Sequence, residues 1–282
     1  MTTLPQGTRL PPQSFFLVSA IFHYLGPAFA VLLFTRIDVL GVAWLRIASA
    51  AAVFAVWRRP WRLAGKLGKR QLGLLLALGA VLAAMNSVFY LAVDRLPLST
   101  VGAIEFCGTV LLAIIGTRTG RNAVALMLTT GGVALITSIR LTGHPLGFVF
   151  AFGNCVLFMV YVMLGHRMAN AGGGIDRLAA SMLIALIVAT PVGLGGALPA
   201  FGHPVLLAAG AGVGVCSSVI PYATDQLAMA RLPRATFALM LALLPVFATL
   251  IGAIVLRQLP TAADVAGIAC VAAGVALHNE RT

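Results

Sequence analysis

The 282 residues contain seven carboxylates: Asp38, Asp94, Glu105, Asp176, Asp225, Asp264 and Glu280. Five of them lie in loops or at the edges of apolar stretches. Glu105 and Asp225 fall within apolar sequence, Asp225 the nearer to an end. An ionisable side chain at the centre of a bilayer costs roughly 2.5–3.5 kcal/mol. Such a residue needs a partner, a proton or a water-filled cavity. Its chemistry there is to hold a cation, such as an ammonium group, or to carry a proton. Polar and aromatic residues surround both acids at helical spacing. Asn86, Phe89 and Tyr90 share one helix face, as do Ser218, Tyr222 and Asp225, and Asn154, Phe158 and Tyr161. His23 and Tyr24 precede Pro27. Together they predict a partly polar, aromatic-walled cavity. Its candidate substrate contacts are His23, Tyr24, Asn86, Tyr90, Glu105, Asn154, Tyr161, Tyr222 and Asp225. Glu105 is the expected main titratable group, and Arg46, the one basic residue inside a span, is its candidate ion-pair or coupling partner.

Other chemistries find little support. The sequence has no HExxH, HxxxD or DDxxD pattern that would place a metal or a nucleophile and its base. Cys107, Cys155, Cys216 and Cys270 fall within apolar runs without CxxC spacing, and read as small packing residues. His144, His166, His203 and His278 stand at span ends with no ligand-spaced acid or cysteine. GAGVG at 210–214 lacks the GxGxxG spacing of a phosphate loop, and suits a helix–helix contact instead. No enzyme activity, metal or cofactor is expected.

Lipid must be the solvent for the elements that hold these groups. The chain is 60% hydrophobic and 9% charged, with a mean hydropathy of +1.02, too little polar surface for a water-soluble domain of this size. A helix needs about 20 apolar residues to cross a bilayer core of roughly 30 Å. A transmembrane barrel would alternate apolar and polar positions, and these runs are unbroken. They predict ten helices, at about 14–34, 37–57, 71–93, 98–116, 122–139, 146–165, 178–198, 204–228, 235–256 and 262–278. Pro27, Pro191, Pro221 and Pro245 fall within or near mid-span, where proline kinks a helix. The first run is too long for a signal-peptide core and is read as a retained span.

The net charge of +12 suggests nucleic acid until its distribution is examined. With loops assigned alternately to two sides, 14 basic residues fall on one side and 4 on the other, with Arg46 inside span 2. This positive-inside bias predicts both termini in the cytoplasm and no nucleic-acid partner. The cluster Arg58, Arg59, Arg62, Lys66, Lys69 and Arg70 is placed to touch anionic lipid head groups.

One short stretch is written twice. LAVDRLPLST at 91–100 recurs as LAMARLPRAT at 227–236, six of ten positions agreeing. The copies lie five spans apart, an odd number, so the shared LAxxRLPxxT corner faces opposite sides of the membrane. The fold class predicted is therefore an all-α membrane protein of two inverted five-helix repeats, residues 1–143 and 144–282, with the boundary near Gly143. Inverted repeats permit alternating access, because exchanging the two halves' conformations opens the other side at similar energy.

The motifs WLRIA in span 2, RPWRL after it, FYLAVDRLPLST and IEFCG across spans 3 and 4, and PYATDQLAMARLPRATF across spans 8 and 9 resemble the EamA-type drug/metabolite transporters. The chain is most similar to their bacterial threonine/homoserine exporters, then to their aromatic amino-acid exporters. The resemblance covers nearly the whole chain. It implies export of amino acids or related metabolites across the bacterial inner membrane, through a cavity lined by spans 1, 3, 4, 6, 8 and 9. Positions that match the family include Arg46, Glu105, Phe106, Gly108, Pro221, Tyr222, Arg231, Pro233, Thr236 and Pro245. Gly108-Thr109 departs from a usual Gly-Pro, Leu244-Pro245 from Glu-Pro and Arg257-Gln258 from Gly-Glu, and Asp225 stands where glutamate is usual. Two acids of the usual pattern are thus missing, so neither substrate nor coupling mechanism carries over from the family. The expected partners are a small amino acid, the lipid bilayer and, as a candidate coupling ion, protons. The competing functions are export of a nucleotide sugar, a phosphorylated or aromatic compound or another drug class, and a passive channel.

Overall fold

A computed structural model describes residues 11–63, 67–102, 104–105, 119–137, 144–170, 174–233, 236–237 and 240–277. The expected boundary near Gly143 and the span-4 positions from Phe106 to Thr109 lie outside them. Among the described residues there are helices and no strands. Six helices among the described residues are long and apolar enough to cross a membrane. They are α1 (Pro12–Leu33), α2 (Val39–Arg58), α3 (Lys69–Val93), α6 (Pro145–Ala169), α7 (Gly174–Phe201) and α8 (Pro204–Met229). Residues 98–102 and 104–105 are helical and are called α4. The remaining elements are α5 (Gly120–Thr137), α9 (Leu244–Leu256) and α10 (Ala262–Leu277).

Local chemistry sets the ends and breaks. Asp38 caps α2 by accepting from the Leu40 and Gly41 N–H groups at 3.0 and 3.4 Å. Pro145 and Pro204 stand in the first turns of α6 and α8, where a missing N–H costs nothing. Pro27 and Pro191 lie inside α1 and α7, as expected. Pro245 does not kink a continuous helix. The backbone tightens to a 3-10 turn at Leu241–Leu243, and Pro245 falls in the first turn of α9 after it. Pro221 follows a π-helical turn, Val215–Val219, where the Ile220 N–H reaches back five residues to the Val215 carbonyl.

The distribution of residues is that of a membrane protein. Val56, Ile187, Val205 and Ile254 are exposed apolar side chains on the outside, while Arg46, Asn86, Glu105, Asn154 and Asp225 are buried. Small residues let helices approach. Gly41 on α2 faces the backbone of Gly196 and Ala197 on α7 so closely that an added Cβ would overlap it. Trp44 Nε1 donates to Thr190 Oγ1 across the same seam at 3.0 Å. We expect Gly41→Ala to force this seam apart at a cost of about 1–3 kcal/mol. A lower thermal midpoint in detergent is the expected reading, and an unchanged midpoint would contradict this packing.

The two LAxxRLPxxT corners fold alike. The Asp94 N–H donates to the Tyr90 carbonyl, and 136 residues on Ala230 donates to Gln226. Leu96 and Leu232 donate to Ala92 and Ala228 in the same way, and Val101 and Phe237 to Pro97 and Pro233. The Arg95 guanidinium lies over the Phe150 ring at 5.3 Å, and the Arg231 guanidinium over the Phe15 ring at 4.7 Å. The first corner packs at the N-terminal end of α6, against Gly147 and Phe150. The second packs at its C-terminal end, where Met229 meets Gly165 and Phe237 meets His166. The corners therefore lie at opposite ends of a 25-residue helix.

Candidate functional site

Glu105 is 2% exposed. Its Oε2 accepts from the Tyr24 hydroxyl at 2.9 Å, and its Oε1 from Asn154 Nδ2 at 3.0 Å. His23 Nε2 is 3.8 Å from Oε2. Asp225 is 3% exposed. Its Oδ1 accepts from the Ser19 hydroxyl at 2.5 Å, and its Oδ2 from the Tyr161 hydroxyl at 3.0 Å. Two helices therefore serve both carboxylates. Ser19 and Tyr24 come from α1, and Asn154 and Tyr161 from α6. Tyr24 is five residues beyond Ser19, and Tyr161 seven beyond Asn154. At 1.5 Å per residue these steps set the two carboxylates about 8–10 Å apart along the helices.

Aromatic rings fill the space between them. His23 meets Tyr24 and Phe158 edge to face, at 5.3 and 5.7 Å between centroids. Phe158 stacks on Tyr161 at 5.8 Å, and Tyr161 leans on Tyr222 at 5.4 Å. All nine expected contact residues are buried, and they converge on one region between α1, α3, α4, α6 and α8.

Arg46 is 3% exposed and enters the same region from α2. Pro221 offers no N–H to the Ser217 carbonyl four residues before it. Arg46 Nη2 donates to that carbonyl at 2.8 Å, and Nε to Ser218 Oγ at 2.8 Å. Nη2 also reaches the Tyr222 oxygen at 3.4 Å, and the guanidinium lies over the Tyr90 ring at 5.2 Å. Tyr222 in turn donates to Asn86 Oδ1 at 3.0 Å. The expected direct contact of Arg46 with Glu105 is not formed. Among the described residues no ion pair joins them, because the guanidinium is taken up at the break in α8. They meet instead as walls of one cavity, shared with His23, Asn86, Asn154 and Tyr222.

That cavity is about 10 Å³, room for one water molecule. The expected cavity is thus narrow in this conformation, and an amino acid does not fit without movement of the walls. Among the described residues, Asn154 Oδ1, on the cavity wall, has no hydrogen-bond partner. Among the described residues no group of three or more His, Cys, Asp or Glu could hold a metal ion.

Two contributors escaped the reading of the sequence. Ser19 lies one helical turn before His23, so its spacing carried the signal. The Ser217 carbonyl was marked by Pro221 four residues on. Among the described residues, the other acids have structural work. Asp176 pairs with Arg58 at 2.6 Å, Asp94 with Arg95 at 3.0 Å, and Asp264 accepts from the Thr261 N–H at the start of α10.

A profile of the EamA-like transporter family matches residues 145–279. The chain is 30% identical to the threonine/homoserine exporter RhtA of Salmonella typhimurium, over 96% of this chain and 93% of that one. It is also 30% identical to RhtA of Escherichia coli, over 83% and 79%. A solved crystal structure shares the fold, with a TM-score of 0.64 over 95% of this chain and 97% of that one, at 17% identity.

Proposed function

Because this chain belongs to the EamA-like transporter family and is a multi-pass membrane exporter of small metabolites, we propose that it carries small amino acids out of the cytoplasm across a bacterial inner membrane by alternating access. The observation that carries this reading is the pairing of opposite charges around one cavity. Glu105 and the unpartnered Asn154 Oδ1 present acceptors to an ammonium group. Arg46 presents donors to a carboxylate, held by a fork of three hydrogen bonds to α8. A zwitterion matches both walls, and a singly charged solute matches one. The activity for which the relatives are named, threonine and homoserine export, supports a small side chain.

The ten-helix, inverted-repeat architecture is part of the proposal. Its support lies in how the halves pack. Arg95 on Phe150 and Arg231 on Phe15 are one contact made twice, with the roles of the halves exchanged. The step of 135 residues from Phe15 to Phe150 also relates Ser19 to Asn154, and each donates to one of the two buried carboxylates. Asn86 and Tyr222 occupy equivalent positions 136 residues apart and bond to each other. Equivalent groups that touch would straddle a relating axis, and this contact supports an axis passing through the cavity. Packing of α3 on α6 is mirrored by α1 on α8, while α2 with α7 and α5 with α10 each map onto themselves.

Reconstitution into liposomes with labelled amino acids tests the reading. Saturable uptake and counterflow are expected for small neutral amino acids. Flux that rises linearly with concentration, without counterflow, would mean a pore instead.

A further inference from the structure

The last turn of α2 and the 3-10 turn Pro60–Leu63 meet the first turn of α7 around an open pocket of about 460 Å³. Arg58 lies twelve residues, about 18 Å, along α2 from Arg46, so this pocket is separate from the central site. Its walls include Arg58, Arg59, Arg62 and Asp176, a net charge of +2. Arg58 is already engaged, 2.6 Å from Asp176 and over the Trp57 ring at 5.4 Å. Among the described residues, Arg59 and Arg62 form no ion pair. Arg59 holds a left-handed backbone, φ 50° and ψ 59°, which costs an L-residue about 1–2 kcal/mol and glycine almost nothing. A cation is favoured beside the α2 C-terminal carbonyls, and this corner fixes one there. Trp57 and Val56 on the pocket wall are 52% and 78% exposed, and Trp61 in the 3-10 turn is 57% exposed. Exposed tryptophans belong at the depth of lipid head groups.

We propose that this pocket binds the phosphate of an anionic phospholipid, with Arg59 and Arg62 forked on its oxygens and the acyl chains lying along Val56 and the outer face of α2. The Arg58–Asp176 pair fixes the pocket's two walls together, so an occupied pocket clamps α2 to α7. A free phosphate has the same oxygens but no chains, and the test separates the two sources.

Purified full-length protein in neutral detergent is titrated with phosphatidylglycerol, phosphatidylcholine or inorganic phosphate, and its thermal midpoint is followed. Phosphatidylglycerol is expected to raise the midpoint by about 3–6 °C at ten times its Kd. Phosphatidylcholine and phosphate should leave it within a degree. Arg59→Gln with Arg62→Gln should abolish the rise, and Arg62→Gln alone should reduce it. Arg167→Gln, an exposed arginine elsewhere on the predicted cytoplasmic side, should keep it. Equal stabilisation by phosphatidylcholine, a full rise in the double variant, or an equal loss in Arg167→Gln would overturn the site. A rise produced by inorganic phosphate alone would overturn the lipid assignment.

Discussion

Replacing Glu105 by glutamine is expected to lower amino-acid counterflow by between about tenfold and a hundredfold while leaving the folded yield nearly unchanged. The two effects separate because glutamine keeps the shape. One amide oxygen still accepts from Tyr24 or Asn154, and the Tyr24 hydroxyl can turn to accept. What disappears is the negative charge opposite the substrate's ammonium. A hydrogen bond to a charged group contributes about 1.5–3 kcal/mol, which corresponds to that range of rate or affinity. Glu105→Asp keeps the charge on a shorter stem and should fall between the two. Counterflow by Glu105→Gln at the parent rate and half-saturation, across pH 5.5–8, would remove Glu105 from both substrate binding and proton transfer.

Arg46→Met should be the most damaging single substitution for stability. Methionine approximates the length of the stem but strips three hydrogen bonds from α8. The Ser217 carbonyl lacks the N–H of Pro221 and would then lose Arg46 Nη2 as well. Glu105 would keep a buried charge with no cation opposite it. The unsatisfied groups together cost about 3 kcal/mol. That is roughly 6–12 °C of thermal midpoint for a chain of this size. Arg46→Lys keeps the charge but not the planar fork, so it should lose less stability than Arg46→Met. An Arg46→Met variant as stable as the parent would mean that another group satisfies the α8 break.

The sequence made the medium, the helical class and the buried acids legible for one reason. Lipid leaves little tolerance for stray polarity, so Glu105 and Asp225 stand out from their neighbours. The repeated corner was legible because the turn depends on its own residues, Leu, Arg and Pro, and folds the same way in both copies. Contacts between distant helices were harder to read. That Ser19 and Tyr161 close on Asp225, 206 and 64 residues away, depends on how α1 and α6 rotate about their axes. The engagement of Arg46 with α8 rather than Glu105 depends on a π-helical turn, whose extra residue a regular helical wheel cannot represent. The size of the cavity was also hidden, because spacing tells which residues face one another and not how closely they have come together.

The two carboxylates on their shared rails, α1 and α6, bear on membrane voltage. Their separation of about 8–10 Å is close to a third of a hydrocarbon core of roughly 30 Å. A full elementary charge crossing the whole field is worth about 2.3 kcal/mol per 100 mV. A proton handed from Asp225 to Glu105, outward in the proposed topology, would then climb about 0.8 kcal/mol at roughly 100 mV, interior negative. A zwitterion making the same step takes both of its charges along and feels almost none of this, so a rate that falls as the cell's resting potential deepens would mark a proton's step rather than the substrate's.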